Sequence, residues 1–136
     1  MLVVKLLRTA LEAEMMYSIF KIVHIAAFAG LFMALGALAF HGINGGDKES
    51  NKARVLTLAT HGAMLLVMFI TGFGMLGVLK LSMVAPWVIV KLVLFLALGG
   101  LGALIQKKAS AGLVFWIMLP LLGALGAAMA ILKPGA

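Results

Sequence analysis

The sequence predicts an all-α integral membrane protein, an up-down-up-down four-helix bundle with a short N-terminal amphipathic segment. Three observations predict it. Of the 136 residues, 65% are hydrophobic and only 11% charged, which is more apolar surface than one soluble core of this size can hide. The apolar residues fall into four runs, at about Ile19–His41, Val55–Leu79, Trp87–Ile105 and Gly112–Leu132. Each run is near the roughly 20 residues that an α-helix needs to cross about 30 Å of hydrocarbon. The segments between the runs are short, so neighbouring spans must run antiparallel. Helices are the natural spanning form, because each backbone polar group then finds its partner inside its own segment. Residues 1–136 make a single membrane domain.

In residues 1–16, Lys5, Arg8 and Glu12 recur at spacings of three and four, with Leu2, Val3, Leu6, Leu7 and Leu11 largely elsewhere around the wheel. This pattern suits a short helix lying in the membrane interface and leading into the first span, and suits equally a frayed extension of that span. Arg8, Glu12 and Glu14 interrupt the apolar core that a signal peptide would need. After the first span, Gly42, Asn44, Gly45 and Gly46 break the helix, and the polar stretch Asp47 to Arg54 is expected to begin the next one. The second loop holds Lys80, Ser82 and Pro86, and the third runs from Gln106 to Ala111 with Lys107 and Lys108. Tyr17 and Trp87 mark one interface and Trp116 the other. Small residues at four-residue spacing, Ala26/Gly30/Ala34, Gly99/Ala103 and Gly123/Ala127, let helices approach closely. Four short helices have little interior of their own, so a homo-oligomer is expected.

The formal charge is +7, with eleven Lys and Arg against four Asp and Glu. The basic residues gather at span ends, where lipid phosphates meet them. No basic aromatic surface is present for bases to stack on, which excludes nucleic acid as a partner and leaves membrane lipid. Cysteine is absent, which removes disulfides, thiolate nucleophiles, iron–sulfur clusters and thiolate-held zinc. All four carboxylates, Glu12, Glu14, Asp47 and Glu49, lie outside the spans, which argues against a proton-coupled exporter of cations. Ser18, Ser82 and Ser110 have no visible acid–base partners, so hydrolysis is not expected.

Basic side chains inside the spans stand out. His24 and Lys91 sit at matching depth in the first and third runs, and an ionisable group there costs roughly 2.5–3.5 kcal/mol on insertion scales. The two spans run in the same direction, so both residues fall on one side of the midplane. His61 lies in the antiparallel second span, roughly 17 Å from His24 along the membrane normal at a rise of 1.5 Å per residue. One haem iron within a subunit is therefore not expected to bind both histidines. Lys21, His24, Phe28, Leu31 and Leu35 form one stripe of the first helix, and Trp87, Lys91, Phe95, Gly99 and Gly102 one of the third. The glycines beneath Lys91 leave space for something flat. His61, Met64, Met68, Gly72 and Met75 make a stripe on the second helix, of a residue type that also ligates haem. Against this, Lys21 and Lys91 also suit snorkelling to head groups, His24 suits a backbone hydrogen bond, His41 suits an interfacial role, and the Met stripe suits packing.

The stretch Phe20-Lys21-Ile22-Val23-His24, followed by Phe28-Ala29-Gly30-Leu31-Phe32 and His41, resembles the opening helix of the HemJ-type protoporphyrinogen oxidases. These are small membrane haem proteins, grouped with SirB-like and CopD-like membrane proteins. Trp87-Val88-Ile89-Val90-Lys91-Leu92, with Lys107-Lys108 at the end of that helix, is similar to the family's W-x-x-x-K-L helix. Gly62 with Thr71-Gly72 is a weaker match, and the resemblance covers most of the first three spans. It implies a multi-pass protein of a cell membrane, such as the bacterial inner membrane, holding haem b. It makes His24 the iron ligand and Lys91 a second ligand or a propionate partner; the helix stripes add Lys21, Trp87 and His61 as further cofactor-site candidates. The family oxidases carry an Arg late in the first helix where this chain has Gly36 and its neighbours. This departure favours haem binding over porphyrinogen oxidation itself.

The leading expectation is thus a b-type haem protein that transfers electrons or oxidises a small apolar substrate, with a quinone, a porphyrinogen or a redox protein as partner. The alternative is a non-enzymatic oligomeric membrane protein, such as a small channel or transporter, with an anion path lined by Lys21 and Lys91. A scaffold or lipid-binding subunit of a larger complex is a third.

Overall fold

A computed structural model describes residues 1–133. It is all-α, with α1 at Leu2–Ile43, α2 at Arg54–Val78, α3 at Pro86–Lys107 and α4 at Gly112–Leu132, the last entered through a 3-10 turn at Ala109–Ala111. All four helices are long and apolar enough to cross a bilayer. Large apolar side chains cover the outside of every helix, and only 11% of the most apolar window of Ala109–Leu132 is buried. Water would not tolerate such continuous exposure, whereas hydrocarbon does. The chain is a multi-pass membrane protein.

α1 is the hub. Its Leu31, Leu35, Leu38 and Ala39 meet Leu98, Leu101 and Ile105 of α3 and Phe115 and Leu119 of α4 in one buried cluster. Lipid tails are as apolar as leucine, so close packing and polar contacts, not water exclusion, must hold these helices together. Glycines permit that closeness. A Cβ on Gly30 would lie 2.9 Å from the Met64 sulfur, and one on Gly74 would lie 2.8 Å from the Phe20 ring. Gly42 of α1 and Gly112 of α4 let the backbones of Ala109 and Ala39 approach directly. Along α1 and α2 the partners pair in reverse order: Phe20 with Gly74, His24 with Gly72, Gly30 with Met64. The same reversal relates Gly36 to Trp116 and Phe28 to Gly123 between α1 and α4.

The helix ends explain the loops. α1 closes in a Schellman motif, with Gly45 at φ 76° and bonds from Gly45 N–H to the Gly42 carbonyl and from Gly46 N–H to the His41 carbonyl. α2 closes the same way, through Lys80 N–H to Gly77 and Leu81 N–H to Leu76. There the left-handed position is held by Lys80, at φ 51°. α3 starts at Pro86, after an extended Ala85, as the preference of proline for the first helical turn dictates.

Of the two forms open to the N-terminal segment, the structure has the extension of the first span: it continues α1 without a break, giving 42 residues and about 63 Å of helix. No Gly or Pro occurs before Gly30 to interrupt it, and the Arg8–Glu12 pair at 2.9 Å supports its exposed face. The stretch from Asp47 to Ala53 forms turns rather than the start of α2. Asp47 Oδ1 accepts the Ser50 N–H at 2.8 Å, Ser50 Oγ accepts the Asp47 N–H at 2.9 Å, and Asn51 Oδ1 accepts the Ala53 N–H at 3.0 Å. Short polar side chains compete here for the backbone donors that a helix would use.

Candidate functional site

Among the described residues the buried polar side chains are Thr57, His61 and Thr71, and Thr71 explains where His24 sits. His24, half-buried on α1, brings Nδ1 to 2.8 Å from the Thr71 hydroxyl oxygen. That hydroxyl has one proton, and it donates it to the Val67 carbonyl at 2.7 Å, as a threonine on a helix does. The Thr71 oxygen is therefore the acceptor, and His24 carries its proton on Nδ1. In the neutral ring, Nε2 is left with its lone pair. This is the arrangement by which a second residue orients an imidazole for a metal. Gly72 lies beside the ring, with even an added Cβ no closer than 3.5 Å to Cε1.

His61 is different. It is buried on α2, and its Nε2 donates to the Leu98 carbonyl of α3 at 3.0 Å. Its ring fills the notch at Gly102, where an added Cβ would stand 3.1 Å from Nδ1. Ten residues of α2 separate Thr71, the partner of His24, from His61, about 15 Å along the helix. The two imidazoles therefore occupy separate levels. The flat space expected beneath Lys91 is taken: His61 fills Gly102, and Leu65 lies 3.8 Å from an added Cβ at Gly99.

Lys91, half-buried near the start of α3, turns its ammonium back one helical turn, 5.4 Å from the centroid of the buried Trp87 ring. Helical side chains lean toward the N-terminus, so this direction is the one the backbone favours. Lys133, at the end of α4, brings a second ammonium 5.8 Å from the same indole. Lys21 is exposed and lies over Tyr17 of its own helix at 5.7 Å. Thus His24, Lys91 and Trp87 gather at one end of the molecule, whereas Lys21 faces outward and His61 belongs to another level. The methionines pack: Met64 against Gly30, and Met64 and Met68 against the core.

His41 sits at the opposite end, with Nε2 donating to the Asp47 carbonyl at 2.9 Å. The space beside it, lined by Leu38, Asp47, Ile105 and Gln106, measures about 10 Å³, room for one water at most. Outside the spans, the Ser50 hydroxyl and N–H beside Asp47 hold its carboxyl below the usual value of 3.8. Arg54 crosses to Gln106 at 2.8 Å and ties the start of α2 to the end of α3.

Sequence reasoning missed two residues. Thr71 was visible only as part of a weak Thr-Gly pattern, although a hydroxyl in mid-span is itself a sign of an interhelical bond. Lys133 carried no signal until α4 was seen to end beside Trp87. No group of three or more His, Asp or Glu among the described residues is placed to hold a metal ion. Set against family models, curated proteins and solved structures, the chain finds no match.

Proposed function

We propose that this chain is a b-type haem protein of the membrane, folded as an up-down-up-down four-helix bundle, which passes electrons or oxidises a small apolar substrate. One observation carries the reading: the imidazole of His24 is fixed through Nδ1 by Thr71, so Nε2 is held unprotonated toward whatever binds there. The donor chemistry fits haem iron, for which a single neutral imidazole is a sufficient protein ligand. The α2–α3 seam does not fit a macrocycle, since His61 and Leu65 fill it. A haem here would therefore depend on His24 and not on His61. Lys91 serves this reading better as the partner of a carboxylate than as a second ligand, because its ammonium is already drawn to the Trp87 face. When bound, the group supplies one-electron chemistry. The chain supplies an oriented imidazole, a nearby positive charge and a low-dielectric surround.

The test is spectroscopic. Protein purified with haem supplied during expression should show a Soret band, and His24→Ala should abolish it while His61→Phe retains it. A spectrum without a Soret band after haem supply, or one unchanged in His24→Ala, would remove the proposal.

A further inference from the structure

We propose a phosphate site that shares Lys91 with the haem reading but does not need haem: Lys91, Lys133 and Trp87 bind a phosphate group, that of an anionic phospholipid head group or of a free phosphate. The two ammonium groups come from different helices, α3 and α4, and converge on one indole, at 5.4 and 5.8 Å from its centroid. No carboxylate among the described residues pairs with either, the sole ion pair there being Arg8 with Glu12. Asp47 and Glu49 belong to the loop that closes on the far end of α3, beside Gln106.

Several features raise the positive potential at this spot. Trp87 is in the first turn of α3, at the positive end of that helix's dipole. The indole is 6% exposed, and both ammonium groups lie over its ring as cation–π partners. Lys133 holds its place at a cost, since it caps α4 in the left-handed region at φ 40°. For a side chain with a Cβ that conformation is strained, and strain of this kind collects where a side chain has to be aimed. Two converging cations, a helix start and no acid together describe a receptor for an anion. Phosphate suits it best, because two ammonium groups can each take one of its oxygens as point charges.

The test uses the whole chain in neutral detergent, with Trp116→Phe so that Trp87 is the sole tryptophan emitter. Trp116 is about half exposed and stacks near Phe40, away from the site. Phosphatidylglycerol titrated into the micelles should change Trp87 emission saturably, and phosphatidylcholine should not. Lys133→Gln, at an exposed helix end where folding is not at risk, should weaken the response about five-fold, as should Lys91→Gln. Inorganic phosphate that reproduces the change makes a soluble phosphate compound the occupant, and inertness of phosphate beside a lipid response makes it the head group. Either supports the site. Equal responses to the two lipids, or unchanged affinity in the protein carrying both substitutions, would overturn it. Haem absorbance plays no part in the readout, so this test and that of the haem reading fail separately.

Discussion

Replacing Thr71 by valine tests how the site is built. The side chains have nearly the same shape, so packing between α1 and α2 is retained while the hydroxyl is lost. His24 then loses the oxygen 2.8 Å from Nδ1. A buried donor left without an acceptor costs about 1–3 kcal/mol in water-soluble proteins. Hydrogen bonds between membrane helices average about 0.6 kcal/mol and reach about 1.7. The smaller scale governs here, since His24 is only half-buried and the Met68 carbonyl lies within its reach. Thr71→Val should therefore destabilise the protein by about 1 kcal/mol, measured by SDS-induced unfolding in mixed micelles followed by circular dichroism. Thr71→Ser, which keeps the hydroxyl, should recover most of the loss. The sharper readout is the ring itself. In the parent, ¹⁵N shifts of His24 should place the proton on Nδ1, and in Thr71→Val that preference should relax toward a mixture. A proton on Nε2 in the parent, with Thr71→Val as stable as the parent, would refute the reasoning.

Other outcomes follow from single contacts. Gly102→Ala places a Cβ 3.0 Å from His61 Cε1, so the ring must move and its bond to Leu98 weaken; a loss of about 1–3 kcal/mol is expected in the same unfolding assay. Lys80→Gly relieves a left-handed lysine at φ 51° in a motif whose twin at Gly45 already uses glycine, and should stabilise by about 0.5–1 kcal/mol after the entropy cost of glycine is counted. Asp47 has its carboxyl held below 3.8 by Ser50, so its contribution to the loop is complete above that pH and lost as pH falls through the lower, folded value. The Ser50 amide resonance should titrate with a midpoint under 3.8, and Ser50→Ala should bring the midpoint of Asp47 back up.

The four membrane helices were legible because hydrocarbon leaves a coarse signal: length and lack of charge suffice, and α4 begins and ends where its apolar run does, at Gly112 and Leu132. For the N-terminal segment, a separate interfacial helix and an extension of the first span stayed equally open, because amphipathic spacing reports a face, not a break. Only Gly or Pro would have marked one, and none precedes Gly30. The first loop was misjudged for the opposite reason. Asp47, Ser50 and Asn51 read as polar helix formers until their side chains were seen to take backbone donors. At the site, depth was legible from counting residues, hence the correct separation of His24 from His61. Facing was not. Which glycine receives which ring depends on how α2 and α3 are rotated about their axes, and no spacing rule fixes that rotation.

The three histidines show why residue type alone could not assign function. Each has one nitrogen committed to an acceptor, and what differs is the fate of the other. At His61 the committed atom is Nε2, bonded to Leu98, and the ring packs edge-on into the notch at Gly102 of α3. At His41 the committed atom is also Nε2, bonded within a surface loop, where the ring serves the end of α1. At His24 the committed atom is Nδ1, the nitrogen nearer the backbone, and its acceptor is a hydroxyl with no second proton to give. The outer nitrogen is then the free one, farthest from the helix. A membrane helix that only needed an interhelical bond could have used the outer nitrogen for it, as α2 does with His61. Spending the inner nitrogen instead keeps the reactive one available, and this asymmetry between two histidines of one protein separates a candidate ligand from a packing residue.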